Sequence, residues 1–343
     1  MKKFWTRICV FFEGVRGFVV ALLVSVLILV FVVGITHNVL KINELSSKYN
    51  GPYKNLVKIA ETTMMNVYQV GDGSQTVVIM SGYGVQSPVL FYKSLANRLN
   101  QKGYRVIIVE NLGYGFSTSA KTDRTNSQIA RDLHDALVEH GNVGPYILMP
   151  HSISSLYAMK FTAMYPDEVS KVISIDGIVP GMIDEEGYKN DLHDERININ
   201  ITSILGLTGF ERILSYVMPE MYYIDYMNAD SNYNMDDIEL YRREIAVNYL
   251  NRSMVKEINK LEDNINELKN YSYPSYVKVI QIVTNEMVNK YEDKVKDGSY
   301  NNDYLYYAEK LNRDTYVHKI VQVEGNHMIP ITAPQTILEV IDE

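Results

Sequence analysis

The sequence predicts an α/β fold, built on a mostly parallel central sheet with helices on both faces. Three observations predict it. Short apolar runs without polar alternation, such as Thr76 to Met80 and Tyr146 to Met149, have the composition of strands buried on both sides. Segments with helical spacing separate them, as in Asn126 to His140, where Ile129, Leu133 and Leu137 share one face. Glycine-rich turns follow several of these runs, and strands that alternate with helices imply parallel neighbours joined by right-handed crossovers.

Taken in order, the first element lies outside that pattern. Phe18 to Ile35 runs without a charge, interrupted only by Ser25 and Gly34. That is near the minimum length for spanning a bilayer, and a segment apolar all round is unlike a surface helix. Lys2, Lys3, Arg7 and Arg16 precede it, whereas Lys41 and Lys48 follow at a distance. This bias predicts a cytoplasmic N-terminus and an extracytoplasmic remainder at the cell membrane. Phe4 and Trp5 suit the interface. A cleaved signal peptide competes with an uncleaved anchor, but the run exceeds a usual signal core and lacks a small-x-small site. The expected division is an anchor in 1–36 (membrane-spanning 18–35), a polar linker in 37–52 containing Ser46, Ser47, Asn50 and Gly51, and a folded domain in 53–343.

Within the domain, Met64 to Val70 reads as an opening strand. Gly71-Asp72-Gly73-Ser74 turns the chain into the strand Thr76 to Met80, which ends in Ser81-Gly82-Tyr83-Gly84. Pro88 to Leu99 is helical by its spacing, and Tyr104 to Val109 is a strand followed by a glycine-rich loop, Asn111 to Ser117. Pro145 to Ser155 is the most informative stretch. The strand Tyr146 to Met149 gives way to helical spacing through Leu156, Met159 and Met164, stopped by Pro166. A serine at such a sharp junction, Ser152, exposes its hydroxyl beside the free N–H groups of a helix start. A plain N-cap would show the same residue type. Val172 to Ile175 is the next strand and ends in Asp176. Residues 181–271 then break the sheet pattern with charged helical segments, Ile197 to Leu214 and Lys256 to Leu268. Val277 to Val283 and Ile320 to Val323 restore it before a helix around Ala333 to Ile341.

Composition excludes some functions. The net charge is −8, and no basic stripe accompanies the 27 tyrosines, which argues against a nucleic-acid partner. Cys9 is the single cysteine, so neither a disulfide framework nor a thiolate metal site is available. His193 and Asp194 are close in sequence but lack a second ligand pair at metal spacing. Neither a metal nor another cofactor is expected.

Four local signatures, in order, resemble the α/β-hydrolase superfamily, in particular bacterial membrane-anchored serine hydrolases of the esterase or lipase kind. Ser81-Gly82-Tyr83-Gly84 is similar to the family's His-Gly-x-Gly loop, and Asn111 to Ser117 to its Pro-Gly-x-Gly-x-Ser loop. His151-Ser152-Ile153-Ser154-Ser155 resembles the nucleophile elbow, and Gly325-Asn326-His327 the loop bearing the catalytic histidine. The departures are Ser81 for the usual histidine, and Pro150 and Ser154 for the two elbow glycines. The resemblance implies Ser152 as nucleophile, His327 as base, and the backbone N–H groups of Tyr83 and Ile153 as the oxyanion hole. His151 should point away from the reacting face and serve structure.

The acid member is open between two carboxylates. Asp176 lies in Ser174-Ile175-Asp176-Gly177-Ile178-Val179-Pro180, which resembles the acid loop of pancreatic-type lipases. Glu286 follows the penultimate strand, where most of the family carries its acid, but stands one position off. Asp176 is preferred. A plain strand-end cap is the alternative use of that residue.

The insertion 181–271 resembles the helical cap of this family. Met218, Met221, Tyr222 and Tyr223 could wall a pocket or simply pack the cap on the core. Glu185 and Glu186 could bind an amine, as cap carboxylates do in iminopeptidases of this fold, or be a solvated turn. The expected activity is cleavage of an ester of a small or acyl substrate, in contact with a lipid bilayer through the N-terminal helix. Proline-iminopeptidase-like hydrolysis and a catalytically silent binding module are the alternatives.

Overall fold

The computed structural model describes residues 2–46, 51–311 and 318–342, and in the first segment the side chains of 15–44. The linker residues Ser47, Lys48 and Asn50 lie outside the described residues, as do the side chains of Lys2, Lys3, Phe4, Trp5, Arg7, Cys9 and Ser46.

After a long helix α1 (Lys2–Ser46), the chain forms β1 (Leu56–Ala60), β2 (Thr63–Val70), β3 (Thr76–Met80), α2 (Pro88–Phe91) and α3 (Lys93–Gln101). It continues through β4 (Arg105–Glu110), α4 (Asn126–Glu139), β5 (Tyr146–Pro150), α5 (Ser154–Met164) and β6 (Val169–Ile175). A helical insertion follows, comprising α6 (Glu186–Leu205), α7 (Phe210–Val217), α8 (Ile224–Ala229), α9 (Met235–Asn248) and α10 (Arg252–Leu268). The chain then closes with β7 (Lys278–Thr284), α11 (Asn285–Lys296), α12 (Tyr304–Leu311), β8 (His318–Val323), α13 (Ile329–Thr332) and α14 (Pro334–Val340).

The sheet order is β1-β2-β4-β3-β5-β6-β7-β8. Strand β2 runs antiparallel to β1 and β4, and every later pairing is parallel. The continuous apolar runs follow from two-sided burial, because successive side chains alternate between faces. Val78, Ile107 and Leu148 point into a core with α4, α5 and α10. Their neighbours Val77, Val106 and Ile147 point into a second core with α3, α9 and α14. The central residues of these strands therefore have an apolar environment on either face, and no polar alternation is needed.

Four boundaries differ from the sequence reading. The expected irregular linker is helical as far as Ser46, because no proline or glycine interrupts the chain between Gly34 and Gly51. The helix expected over Pro88 to Leu99 breaks at Tyr92, whose hydroxyl is used at the site described below. The one expected over Ile197 to Leu214 splits around Gly206–Gly209 into α6 and α7, joined by a short 3-10 turn, Gly206–Thr208. Strand β1 was not anticipated, since as an edge strand it is only half-buried and lacks an apolar run.

Candidate active site

The centre of the site is the junction between β5 and α5. Strand β5 lies between β3 and β6, so its C-terminal end opens among the loops that follow all three. The chain reverses at Ser152 with φ +58°, a left-handed conformation that non-glycine residues seldom adopt and that turns the side chain out of the strand. Its own N–H donates to the Ile175 carbonyl (2.9 Å), pinning the turn to the end of β6. Ser154, at one of the positions where the elbow pattern has glycine, is fully buried. Its Oγ accepts from the His151 N–H (2.9 Å) and lies 2.8 Å from the Met80 carbonyl. The serine thus replaces glycine's compactness with a bond between β3 and the elbow.

His327 is brought in from the loop between β8 and α13. Its Nδ1 lies 3.3 Å from Asp176 Oδ2. Asp176 is itself fully buried at the end of β6, with φ +42°, and accepts from the Thr284 N–H (2.7 Å) and hydroxyl (2.6 Å) at the end of β7. A carboxylate on Nδ1 fixes the tautomer with the proton there and leaves Nε2 free to accept one. Glu286 meets the same loop by another atom: its Oε2 accepts from the His327 backbone N–H (2.6 Å). One carboxylate therefore holds the imidazole, and the other holds the main chain.

Tyr83 and Ile153 line the same pocket as Ser152. Among the described residues neither backbone N–H has an acceptor. Two unengaged N–H groups on residues that line the pocket with the half-buried Ser152 are of the kind that could donate to a developing oxyanion. Gly82 allows this approach, since a side-chain carbon there would lie 3.0 Å from His151 Nδ1 and 3.4 Å from Ser152 Cβ.

His151 is buried and takes no place in the pocket lining. Its Nε2 lies 2.8 Å from the His327 carbonyl oxygen, which can only accept, so Nε2 carries the proton. Nδ1 then accepts from the Tyr92 hydroxyl (2.8 Å), which in turn accepts from the Gly82 N–H (3.1 Å). Burial, helped by the neighbouring His327, pushes the His151 imidazole down to about 3, so it stays neutral. A single chain of hydrogen bonds thereby ties the Gly82 loop to the His327 loop behind the elbow. Neither Tyr92 nor Thr284 was picked out from sequence. Thr284 ends a strand and Tyr92 sits in an amphipathic segment, and neither position marks a partner far along the chain.

The pocket has a volume of about 340 Å³. Ser152, Asp176, Glu286 and His327 line its floor, while Tyr188 and Leu192 of α6 and Ile258 and Leu261 of α10 form apolar walls. Other expected residues lie elsewhere. Met218, Met221, Tyr222 and Tyr223 are absent from the lining, Met218 and Met221 being exposed on the insertion's surface. Glu185 is buried, and its carboxylate is occupied by Asn301, Asn302 and Tyr307. Glu186 is exposed and lines no part of the pocket.

Comparison with known proteins agrees with this architecture. A family model described as alpha/beta hydrolase fold matches residues 75–195, the segment from β3 through the elbow into α6. The chain is 26% identical to the Bacillus subtilis (strain 168) protein YbdG over 341 residues, 98% of this chain and 96% of that one. It is 25% identical over 168 residues to an Escherichia coli (strain K12) 2-hydroxy-6-oxononadienedioate/2-hydroxy-6-oxononatrienedioate hydrolase, a match covering 46% of this chain and 58% of that protein. Among solved structures it is similar to the esterase EaEST from Exiguobacterium antarcticum, with TM-score 0.56 and 15% identity. That match covers 84% of this chain and all of the esterase chain (100%).

Proposed function

The chain has the α/β-hydrolase fold, and from that premise we propose that it is a membrane-anchored serine hydrolase that cleaves an ester. One observation carries the reading: Ser152, on its strained turn, shares a pocket with His327, whose Nδ1 lies beside the buried Asp176. The Ser152 hydroxyl attacks the ester carbonyl carbon as Nε2 of His327 takes its proton. The carbonyl oxygen becomes an oxyanion between the N–H groups of Tyr83 and Ile153. Collapse breaks the bond to the alkoxy oxygen, which leaves as the alcohol with the proton from His327. Water, deprotonated by the same nitrogen, then releases the acid and restores the serine. Asp176 orients the imidazole and stabilises its cation throughout, without taking the proton.

The apolar walls from α6 and α10 favour an acyl group in the pocket, with the insertion acting as a cap. For the iminopeptidase alternative, the Glu185 carboxylate is engaged away from the pocket, whereas Asp191 and Glu195 of α6 line it. Helix α1 supplies the anchor in this reading: its Val15–Glu44 portion is long and apolar enough to cross a membrane. A fluorophosphonate probe tests the chemistry, because it labels only an activated serine. Labelling of the wild type that disappears in Ser152→Ala and in His327→Ala, with both variants folded, is expected. Labelling that persists in Ser152→Ala would move the chemistry elsewhere, and an unlabelled wild type would return the chain to a binding role.

A further inference from the structure

The insertion carries an exposed apolar strip that neither the fold nor the pocket uses. On α6, Ile197, Ile201 and Ile204 recur at helical spacing and are 42%, 59% and 64% exposed. The strip continues through Leu207 in the turn and Phe210, Ile213 and Val217 on α7, all exposed. A soluble surface seldom presents a contiguous apolar strip of this extent unless something covers it.

The same segment is bound to α1. Gly34 packs against the backbone of Leu207 and Thr208, and Asn38 donates from Nδ2 to the Leu207 carbonyl (3.1 Å). Further along, Arg212 grips Glu44 with both guanidinium arms (2.9 and 2.6 Å). The position of these contacts sets the depth. At 1.5 Å per residue the run Phe18 to Ile35 is roughly 27 Å long, close to a hydrocarbon core of about 30 Å. Gly34 stands at the far end of that run, so the turn that touches it lies where α1 leaves the hydrocarbon. Leu207 therefore lies at the depth of Gly34, while Gly209, against His37, marks a level about 4.5 Å farther towards water.

The cations lie where this arrangement needs them. Beside the strip, a cavity of about 560 Å³ is lined by Lys41, Arg252 and Lys256 together with Ile204, Leu207 and Val255. Lys41 is six residues past Ile35, on the order of 9 Å towards water, which is headgroup depth. A cavity that brings apolar side chains and cations together at the level of Lys41 suits a bilayer surface with anionic lipid, although the Lys256 ammonium is shared with the Ala120 carbonyl (3.3 Å).

We infer that the exposed faces of α6 and α7 are seated in the leaflet from which α1 emerges, with Lys41, Arg252 and Lys256 at its headgroups. This rests on α1 being a membrane anchor, and it adds that the insertion itself is a membrane-contacting surface. Because α6 also walls the catalytic pocket with Tyr188 and Leu192, one helix then joins the lipid surface to the site.

The test uses the full chain with Cys9→Ser, single cysteines at Leu27, Ile201, Leu207, Phe210 or Val143, and an attached fluorophore. The protein is reconstituted into vesicles of phosphatidylcholine and phosphatidylglycerol. Each label is quenched either by acyl-chain nitroxide lipid or by aqueous iodide. Val143 is the reference for water, being 84% exposed in the loop before β5. Labels at 201, 207 and 210 are expected to be quenched several-fold more by the nitroxide, and several-fold less by iodide, than the label at 143. If the Leu27 label is in lipid but those three behave like the one at 143, the inference falls while the anchor stands. If the Leu27 label is reached by iodide, the anchor falls and takes the inference with it. If the three labels are shielded from both quenchers, protein covers the strip, and a second copy of the chain replaces lipid as its occupant.

Discussion

Two carboxylates touch the His327 loop through different atoms, so their substitutions should separate. Asp176 meets the ring at Nδ1 (3.3 Å), whereas Glu286 meets only the backbone N–H (2.6 Å). Asp176→Asn keeps the shape but favours the wrong tautomer, and turnover of an ester substrate should fall on the order of 10⁴-fold, as it does in serine proteases. Glu286→Gln still offers a carbonyl oxygen to the His327 N–H, so its turnover should stay within a few-fold of wild type. The reverse ranking would assign the acid to Glu286. His151 gives a separate, thermodynamic expectation. Its folded pKa is about 3 against an ordinary value of 6.5, so the unfolded chain binds the extra proton first as pH falls. The stability contributed by neutral His151 is therefore complete above pH ~6.5 and lost progressively towards pH ~3. Thermal midpoints of the detergent-solubilised chain between pH 7 and pH 4 should fall more steeply for wild type than for His151→Gln. Parallel curves would mean that another group carries the slope.

At the level of elements, loops that look alike in sequence do different work. In the Ser81–Gly84 loop, Gly82→Ala would press a methyl on His151 and Ser152 and displace the Tyr83 N–H. Loss of one oxyanion donor costs roughly 10²–10³-fold in kcat, and that is the ceiling expected here, with little change in melting temperature. In the Asn111–Ser117 loop, Gly115 adopts φ +48°, and an added side chain there would overlap the buried Glu110 carboxylate. That carboxylate accepts from the N–H groups of Val89 and Phe116 and from Asn66. Gly115→Ala should therefore lower the melting temperature without a specific loss of kcat in whatever fraction stays folded. These cases also show why the sequence was legible where it was. Buried parallel strands announce themselves by composition, and the turns at Ser152 and His327 sit at their ends, so fold and floor of the site could be read together. The half-exposed β1, the helix break at Tyr92 and the partnership of Thr284 with Asp176 could not. Each depends on residues that meet only after the sheet has assembled, and none leaves a local period or motif.

Across the whole molecule, the proposed anchoring makes the orientation of α1 decide on which side of the membrane the pocket lies. Arg212–Glu44 and Asn38–Leu207 fasten the insertion to the end of α1 remote from Lys2 and Lys3, so the domain must lie on the side to which Ile35 leads. Positive charge flanking a span is retained in the cytoplasm, and Lys2, Lys3, Arg7 and Arg16 outnumber Lys41 and Lys48 near the two ends. In the proposed topology the domain is therefore extracytoplasmic. The chain's single cysteine offers a direct check, because Cys9 lies on the N-terminal side of the span and no other thiol competes. In intact cells a membrane-impermeant maleimide should leave Cys9 unlabelled until the membrane is permeabilised. A cysteine introduced at Val143, 84% exposed on the domain, should be labelled at once. Labelling of Cys9 but not of the Val143 position would invert the topology. A released domain that reacts at the Val143 position and has lost Cys9 altogether would mean that the segment is cleaved as a signal, and with it would go the lipid-seated cap.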